Sequence, residues 1–381
     1  MPSWTKEQEL AITSEGKNII VSAGAGSGKT AVLTARVIRK LKDGIDINKL
    51  LVLTFTNEAA GEMKTRIRDE IRKISSLKEQ LNYIDNSYIT TFDSFALSIV
   101  SKYHYLLNLS KKIDIIDSSI MNIKREEFLD KIFNALYDEK REDFLRLIGD
   151  FCVKDDKDIK KQILKINSAL DLKYDKKEYM DSYISNYYSN SYIDNIIEEY
   201  KKLILDKKSE ITDIYNYILE YEDSKICEKY IEALSNFVNS NNYDDIKNNL
   251  NIVLPRIVKN SKEEKMRISE LLEELRELTI YEDLEEIRTI YLSTKDYAIV
   301  IIDIIKELDS MLEKYKKYNN SYEFVDIAKM AIRIVSDNEE IRNEIKYFYN
   351  EIMIDEYQDT NDLQESFINL IENNNVYMVG D

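Results

Sequence analysis

Short apolar runs alternate with amphipathic segments at both ends of the chain, and this pattern predicts strands alternating with helices. Five apolar runs predict buried strands, at residues 19–21, 50–56, 88–91, 351–354 and 376–379. Around them, apolar residues recur every three to four positions and predict helices, at about 58–73, 93–107, 322–335, 339–349 and 363–371. Thr5 is the expected N-cap of a short helix before the first strand, and Asn57 that of the helix after the second strand.

The middle of the chain has a different pattern, because the helical period dominates from about 113 to 320 and strand signals are scarce. Examples of the predicted helices are 126–137, 193–219, 263–278 and 297–318. The fold class is therefore α/β, with a parallel sheet flanked by helices and a large all-α insertion domain. We predict that residues 1–112 and 321–381 form the α/β domain and residues 113–320 the insertion.

A glycine-rich loop joins the first predicted strand to a helix, which is the arrangement of a P-loop (RecA-like) NTPase. We expect Lys29 to reach the β- and γ-phosphates of ATP and the Thr30 hydroxyl to bind Mg²⁺. Ala23 stands where the usual pattern has glycine, and the alternative is a turn that only packs a strand against a helix. The expected nucleotide-binding residues are Ala23, Gly24, Ala25, Gly26, Ser27, Gly28, Lys29 and Thr30.

Two adjacent carboxylates follow the predicted strand 351–354, and such a pair beside a P-loop suits ATP hydrolysis. We expect Asp355 to hold Mg²⁺ and Glu356 to orient and deprotonate the attacking water. Gln358 is expected to sense the γ-phosphate, and Asp359 to hold this network in place. The alternative is an acidic strand end that is merely exposed to solvent.

The net charge of −17 argues against broad nucleic-acid binding. Residues 1–42 nevertheless hold seven basic side chains against three acidic ones, which leaves room for a narrow basic track. The single histidine, His104, and the widely separated Cys152 and Cys227 match no metal or redox spacing. No apolar run of about eighteen residues is present, so we expect no membrane contact and a cytoplasmic location.

Six motifs in order give the chain a resemblance to the UvrD/Rep branch of superfamily 1 helicases. They are Gln8, Ala23–Thr30, Thr54–Met63, Thr91–Phe95, Asp355–Asp359 and Val379–Asp381. The resemblance covers the motifs of the first motor domain from one end of the chain to the other. It implies that Gln8 reads the amide edge of adenine and that Gly380 and Asp381 open a motif coupling the nucleotide site to DNA.

The resemblance also implies a set of contacts to single-stranded DNA. Phe55 would stack on a base, Thr56 and Asn57 would hold phosphates, and Thr91 and Ser94 would add backbone contacts. Asp93 departs from the pattern, because the family usually has histidine there and a carboxylate repels a DNA phosphate. Ala31 and the long segment before Asp355 resemble the AddA/RecB side of the family more than the simpler Rep-type motors.

The resemblance therefore implies the N-terminal ATP-binding motor part of a 3′→5′ DNA helicase, with ATP and Mg²⁺ as cofactors. The helicase–nuclease type that repairs double-strand breaks is favoured over a stand-alone UvrD-like repair helicase. Implied partners are single-stranded DNA, duplex ends with a single-stranded tail, and a second helicase–nuclease subunit. We expect the second motor domain and any nuclease domain to lie outside this chain, which would then hydrolyse ATP slowly. A binding module without turnover and a structural P-loop ATPase are the alternatives.

Overall fold

The computed structural model describes residues 4–24, 26–255 and 262–381, which divide into two compact units. The first unit contains Met1–Glu139, Cys152–Lys176 and Ile304–Asp381. The second contains Lys140–Phe151 and Lys177–Asp303. The first unit therefore includes several segments that lie within residues 113–320.

The described residues form seven strands. They are β1 (Ile19–Ser22), β2 (Leu50–Thr54), β3 (Tyr88–Thr91), β4 (Asp114–Ile115), β5 (Ser321–Tyr322), β6 (Glu351–Ile354) and β7 (Val376–Gly380). Five of them form one parallel sheet in the order β1-β7-β6-β2-β3, while β4 and β5 pair separately. The predicted parallel α/β fold is confirmed. The residues of β2 and β6 are all buried, because both strands lie inside the sheet and are covered on both faces.

Seventeen α-helices complete the described structure. In the first part of the chain they are α1 (Lys6–Thr13), α2 (Lys29–Lys42), α3 (Asn57–Arg72), α4 (Phe92–Lys102), α5 (Ser118–Asp138), α6 (Glu142–Phe151), α7 (Lys157–Asp171) and α8 (Lys176–Tyr187). In the rest they are α9 (Asn190–Tyr221), α10 (Ser224–Val238), α11 (Tyr243–Asn248), α12 (Lys262–Leu278), α13 (Leu284–Ser293), α14 (Lys295–Asn319), α15 (Phe324–Asp337), α16 (Glu339–Phe348) and α17 (Asp362–Ile371).

The sheet of the first unit separates two apolar clusters. One cluster joins strand residues such as Val52 to α2 and α3, which contribute Leu33 and Ile67. The other joins the sheet to α4, α15 and α17, and it includes Ala331 and Phe367. The second unit has a cluster of its own from α9, α10, α11 and α12. Each unit therefore has its own core.

Three local predictions are corrected by the structure. The strand predicted at 50–56 ends at Thr54, and Thr56 rather than Asn57 is the N-cap of α3, since its hydroxyl accepts from Ala59 N at 3.1 Å. The helix predicted at 93–107 ends at Lys102 and is followed by a short 3₁₀ turn. The helix predicted from residue 322 begins at Phe324, because Tyr322 pairs with Ile115 in the small sheet.

Candidate nucleotide and DNA site

Neighbouring parallel strands bring the distant motifs to one edge of the sheet. β1 pairs with β7, and β7 pairs with β6, so all three strands end on the same side. Ala23, the first loop residue after β1, donates its N–H to the carbonyl oxygen of Gly380 at 2.9 Å. The glycine loop and the end of β7 therefore lie side by side.

The backbone of the loop has the conformation that its glycines allow. Gly26 and Gly28 have φ angles of +80° and +85°, a left-handed region that residues with a side chain rarely adopt. Ser27 N donates to Gly24 O at 3.1 Å, and α2 begins directly afterwards at Lys29. The first N–H groups of a helix have no partner within it, so this end of α2 suits an anion. Ala25 lies outside the described residues.

Gln8 lies over this loop. Its Nε2 donates to Ser27 O at 3.0 Å, and a Cβ atom built on Gly28 would lie 3.6 Å from the same Nε2. Thr5 holds the amide in place, because Thr5 N donates to Gln8 Oε1 at 3.0 Å and Gln8 N donates to Thr5 Oγ1 at 3.2 Å. This reciprocal pair is a capping box at the start of α1.

Lys29 connects the two decisive motifs. Its Nζ lies 3.3 Å from Glu356 Oε2 and donates to Asp381 Oδ1. The hydrogen bond to Asp381, followed by the interaction with Glu356, raises the pKa of Lys29, so its ammonium form is favoured. The lysine of the loop and the acidic pair therefore meet, as the motif assignment requires. Thr30, one residue further on, is half-buried in the first turn of α2.

Asp355 is buried at the end of β6, with only 8% of its surface exposed. Burial, followed by the neighbouring Glu356 charge, raises its pKa above the usual aspartate range. Its Oδ1 has no hydrogen-bond partner among the described residues. A buried oxygen in this position has lost its hydration and has an unused acceptor.

Glu356 and Gln358 continue this network. Glu356 has φ +53°, a left-handed conformation that costs a non-glycine residue about 1–2 kcal/mol. Gln358 Nε2 donates to Glu356 Oε2 at 2.7 Å, and Asp381 N donates to Gln358 Oε1 at 3.0 Å. Gln358 thus joins the acidic pair to the end of β7. Asp359 lies in the same 3₁₀ turn, where its N–H donates to Glu356 O at 3.0 Å.

A cleft of about 100 Å³ opens at the ends of β2, β3 and β6. Phe55, Thr91, Asp93 and Asp355 are among the residues that line it. The Phe55 side chain is 46% exposed, which leaves a ring face available to a base. Burial raises the pKa of Asp93. The same cleft thus contains a predicted DNA residue, a predicted metal ligand and the carboxylate that departs from the family pattern.

The other predicted DNA residues lie at the starts of two helices. Thr56 and Asn57 are exposed at the start of α3. Thr91 is buried and caps α4, because Ser94 N donates to its Oγ1 at 3.2 Å. Thr91 Oγ1 in turn donates to Ser94 Oγ at 2.9 Å, so these two hydroxyls act together.

Asp381 pairs directly with Lys29, although the motifs gave it no catalytic or nucleotide-binding role. Its place immediately after the strand 376–379 was the available signal, because polar residues that end neighbouring parallel strands meet at one edge. Thr360 and Gln364 of the cleft were also missed, and no motif marked them.

The oxygen donors present here suit Mg²⁺. Among the described residues, no group of three or more His, Cys, Asp or Glu side chains is arranged to hold a metal ion alone. Mg²⁺ is commonly bound by one or two carboxylates together with water and substrate phosphates. Asp355, with its unpartnered buried oxygen, and Thr30 fit that kind of site. Separately, none of the described helices is long and apolar enough to cross a bilayer.

Comparison with known proteins gives the class directly. The model of the UvrD/REP helicase N-terminal domain matches residues 4–381, and the chain belongs to this family. Among its relatives are proteins named as AddA-type subunits of an ATP-dependent helicase/nuclease, from Clostridium beijerinckii (29% identical), Clostridium botulinum (30%) and Lactobacillus helveticus (30%). These matches cover 99–100% of this chain and 34–36% of each relative, so the chain spans about a third of their length. The resemblance drawn from the motifs is confirmed.

Proposed function

We propose that this chain is the ATP-binding motor part of a 3′→5′ DNA helicase. The observation that carries the proposal is the meeting of Lys29, at the start of α2, with Glu356 at the end of β6. A phosphate-binding loop next to paired carboxylates is the arrangement that ATP hydrolysis requires. The family of the chain and the printed names of its relatives support the same function.

The backbone N–H groups of residues 23–28 would bind the phosphates, and Lys29 would pair with their outer oxygens. Thr30 and Asp355 would hold Mg²⁺, which when bound neutralises charge on the phosphates. Lys29 would exchange its carboxylate partners for phosphate oxygens. Glu356, released from that ion pair, would accept a proton from the attacking water. Gln358 would keep the Glu356 carboxylate oriented through its 2.7 Å hydrogen bond.

The DNA contacts are proposed on the opposite part of the same edge. Phe55 would stack on a base, and the exposed Thr56 and Asn57 would hold phosphates. Thr91 and Ser94 would add contacts to the DNA backbone. Stacking and helix N-termini recognise single strands without a broad basic surface, which agrees with the acidic composition of the chain.

More narrowly, we propose a helicase–nuclease of the AddA type that acts in double-strand break repair. The relatives named as subunits of an ATP-dependent helicase/nuclease support this assignment. Its partners would be single-stranded DNA, duplex ends with a single-stranded tail, and a second helicase–nuclease subunit. The motor would be residues 1–112 and 321–381, the helical insertion residues 113–320, and the site of action the cytoplasm.

Replacing Lys29 tests the nucleotide site. Lys29→Ala removes the charge that would pair with the phosphates, so we expect ATP affinity to fall by roughly 10- to 100-fold. Lys42→Ala is the control, because Lys42 is an exposed lysine at the other end of the same helix. Equilibrium dialysis with Mg²⁺ and ATP measures both variants. Equal ATP affinity in wild type and Lys29→Ala would contradict the proposal.

A further inference from the structure

Arg36 is the largest of the fully buried side chains, with 1% of its surface exposed. It lies on α2 two turns after Lys29, on the apolar face that also carries Leu33 and Val37. Its Nε and Nη2 donate to the two carboxylate oxygens of Glu351 at 2.9 and 2.6 Å. Its guanidinium carbon also lies 4.2 Å from the centre of the Tyr377 ring. The charge is therefore fully compensated inside the first unit.

The remaining donors of Arg36 are directed at α1. Nη1 donates to the carbonyl oxygens of Ala11 and Ile12 at 2.9 and 3.2 Å, and Nη2 donates to that of Ser14 at 2.8 Å. Carbonyl groups at the end of a helix have no partner within it, and a cation there also interacts favourably with the helix dipole. All five N–H groups of the guanidinium are used in this way, which only arginine can do.

Helix α1 carries Gln8 to the nucleotide loop. A helix of eight residues is not stable alone, so its position depends on what holds its two ends. Thr5 caps the first end, and Arg36 binds carbonyls at the second. Gln8, between them, contacts Ser27 O at 3.0 Å. Arg36 therefore determines where Gln8 lies without touching the loop itself.

We propose that Arg36 is a positioning residue for nucleobase recognition: by binding the end of α1, it holds the Gln8 amide where an adenine would meet it. The proposal rests on the proposed function, because it assumes that the loop binds ATP. It assigns the triphosphate to the loop and Lys29, and the choice of base to the pair formed by Gln8 and Arg36. Loosening α1 should then affect base selectivity and leave phosphate binding intact.

The exchange of arginine for lysine separates these two effects. Arg36→Lys keeps the charge beside Glu351, but one ammonium group cannot bind a carboxylate and three carbonyls together. Arg125→Lys is the matched control, because Arg125 is 7% exposed and donates to both oxygens of Glu323 at 2.9 and 2.7 Å. Affinities of the 381-residue chain for ATP, GTP and inorganic tripolyphosphate are measured with Mg²⁺ for each variant.

For Arg36→Lys we expect ATP affinity to fall about five- to tenfold, the loss of roughly one hydrogen bond to the base. The preference for ATP over GTP should disappear, while tripolyphosphate affinity stays within about twofold of wild type. Arg125→Lys should keep the wild-type preference. Gln8→Ala added to Arg36→Lys should cost almost nothing further, because both changes remove the same interaction.

Three results would overturn the inference: an unchanged preference for ATP, an equal loss of tripolyphosphate affinity, or full additivity with Gln8→Ala. If thermal unfolding shows that Arg36→Lys does not fold, the pair Arg36→Met and Glu351→Met removes the carbonyl contacts without leaving a buried charge. The same three criteria then apply to that pair. A wild-type chain that binds ATP and GTP equally would refute the adenine role of Gln8, and with it the basis of this inference. A wild-type preference that survives in Arg36→Lys would refute the role of Arg36 alone.

Discussion

Lys29 is paired with two acids at the start of α2. Glu356 and Asp381 neutralise its ammonium group, so a triphosphate must replace them before it gains the full interaction. This exchange links nucleotide binding to the freedom of Glu356. The left-handed backbone of Glu356 adds to the effect, because such strain is retained only where the surroundings hold it.

Asp355 should cost the protein stability in exchange for its place in the site. Its pKa is raised by burial, so the native state binds the proton more tightly than the unfolded chain. The stabilisation from the protonated form is complete below the usual aspartate pKa and is lost as the pH rises through the raised value. Asp355→Asn cannot ionise, and we expect it to be more stable than wild type at pH 8 by about 1–3 kcal/mol.

Thermal unfolding of both proteins from pH 8 downward checks this expectation. The difference should narrow as the pH approaches the ordinary aspartate value of 3.8. Stabilisation by Mg²⁺ and ATP should be present in wild type and lost in Asp355→Asn. A variant that is less stable than wild type at pH 8 would contradict the prediction.

Phe55 allows the DNA site to be tested separately. Stacking on an aromatic ring contributes about 1–3 kcal/mol per base, so Phe55→Ala should weaken binding of single-stranded DNA by roughly 5- to 100-fold. Tyr347→Ala is the control, since Tyr347 is a 69% exposed aromatic residue on α16. Fluorescence anisotropy with a labelled oligonucleotide measures the effect, and equal weakening by both changes would refute a specific role for Phe55.

At the scale of elements, the end of β7 and the 3₁₀ turn Tyr357–Asp359 are closely packed. A Cβ atom on Gly380 would lie 3.2 Å from Gln358 N and 3.3 Å from Tyr357 N, and closer still to the Gln358 side chain. Gly380→Ala should push this turn away and destabilise the protein by about 1–3 kcal/mol. Gly61→Ala in α3 is the control, because an added Cβ there meets nothing within 4 Å. Urea unfolding measures both; equal stability of the two variants would show that the turn accommodates the methyl group.

Periodicity was sufficient for the elements of the sheet and insufficient for their ends. The runs at 19–21 and 376–379 were found because buried parallel strands are continuously apolar. The end of β2 was misplaced because Phe55 and Thr56 continue the apolar, β-branched pattern although they are exposed. β4 and β5 were missed because two-residue strands have no period of their own.

The site was predictable to the extent that motifs are local. The loop and the acidic pair could be read directly from short sequences. The contact of Lys29 with Asp381 depends on which strands are neighbours, and sequence spacing does not contain that information. Arg36 gave a weak signal, a charge among apolar residues of α2, which indicates a buried partner without identifying it.

For the whole molecule, the basic residues near the N-terminus are largely used internally. Arg36 pairs with Glu351, and Arg39 and Lys40 both lie near Glu15, at 3.4 and 3.7 Å. With Lys29, this accounts for four of the seven basic residues of the segment 1–42. A continuous basic track is therefore not needed for the proposed DNA contacts, which depend on stacking and helix N-termini.

The two units should respond differently to nucleotide. Every nucleotide-site residue named above belongs to the first unit, and the second has an apolar core of its own. A ligand at a hundred times its Kd stabilises the unit that binds it by about 2.7 kcal/mol. We expect a non-hydrolysable ATP analogue with Mg²⁺ to slow amide hydrogen exchange in β1, β6 and β7 and to leave α9, α10 and α12 unchanged. Equal slowing in both units would contradict this expectation.

The pairing of β1 with β7 also has a consequence for synthesis on the ribosome. Lys29 and its partner Asp381 are 352 residues apart in sequence. At about 5–20 residues per second, translation separates them by between roughly 20 and 70 s. During that interval the nascent loop has neither its neighbouring strand nor its acidic partners, so the growing polypeptide should be unable to retain nucleotide until translation reaches β7.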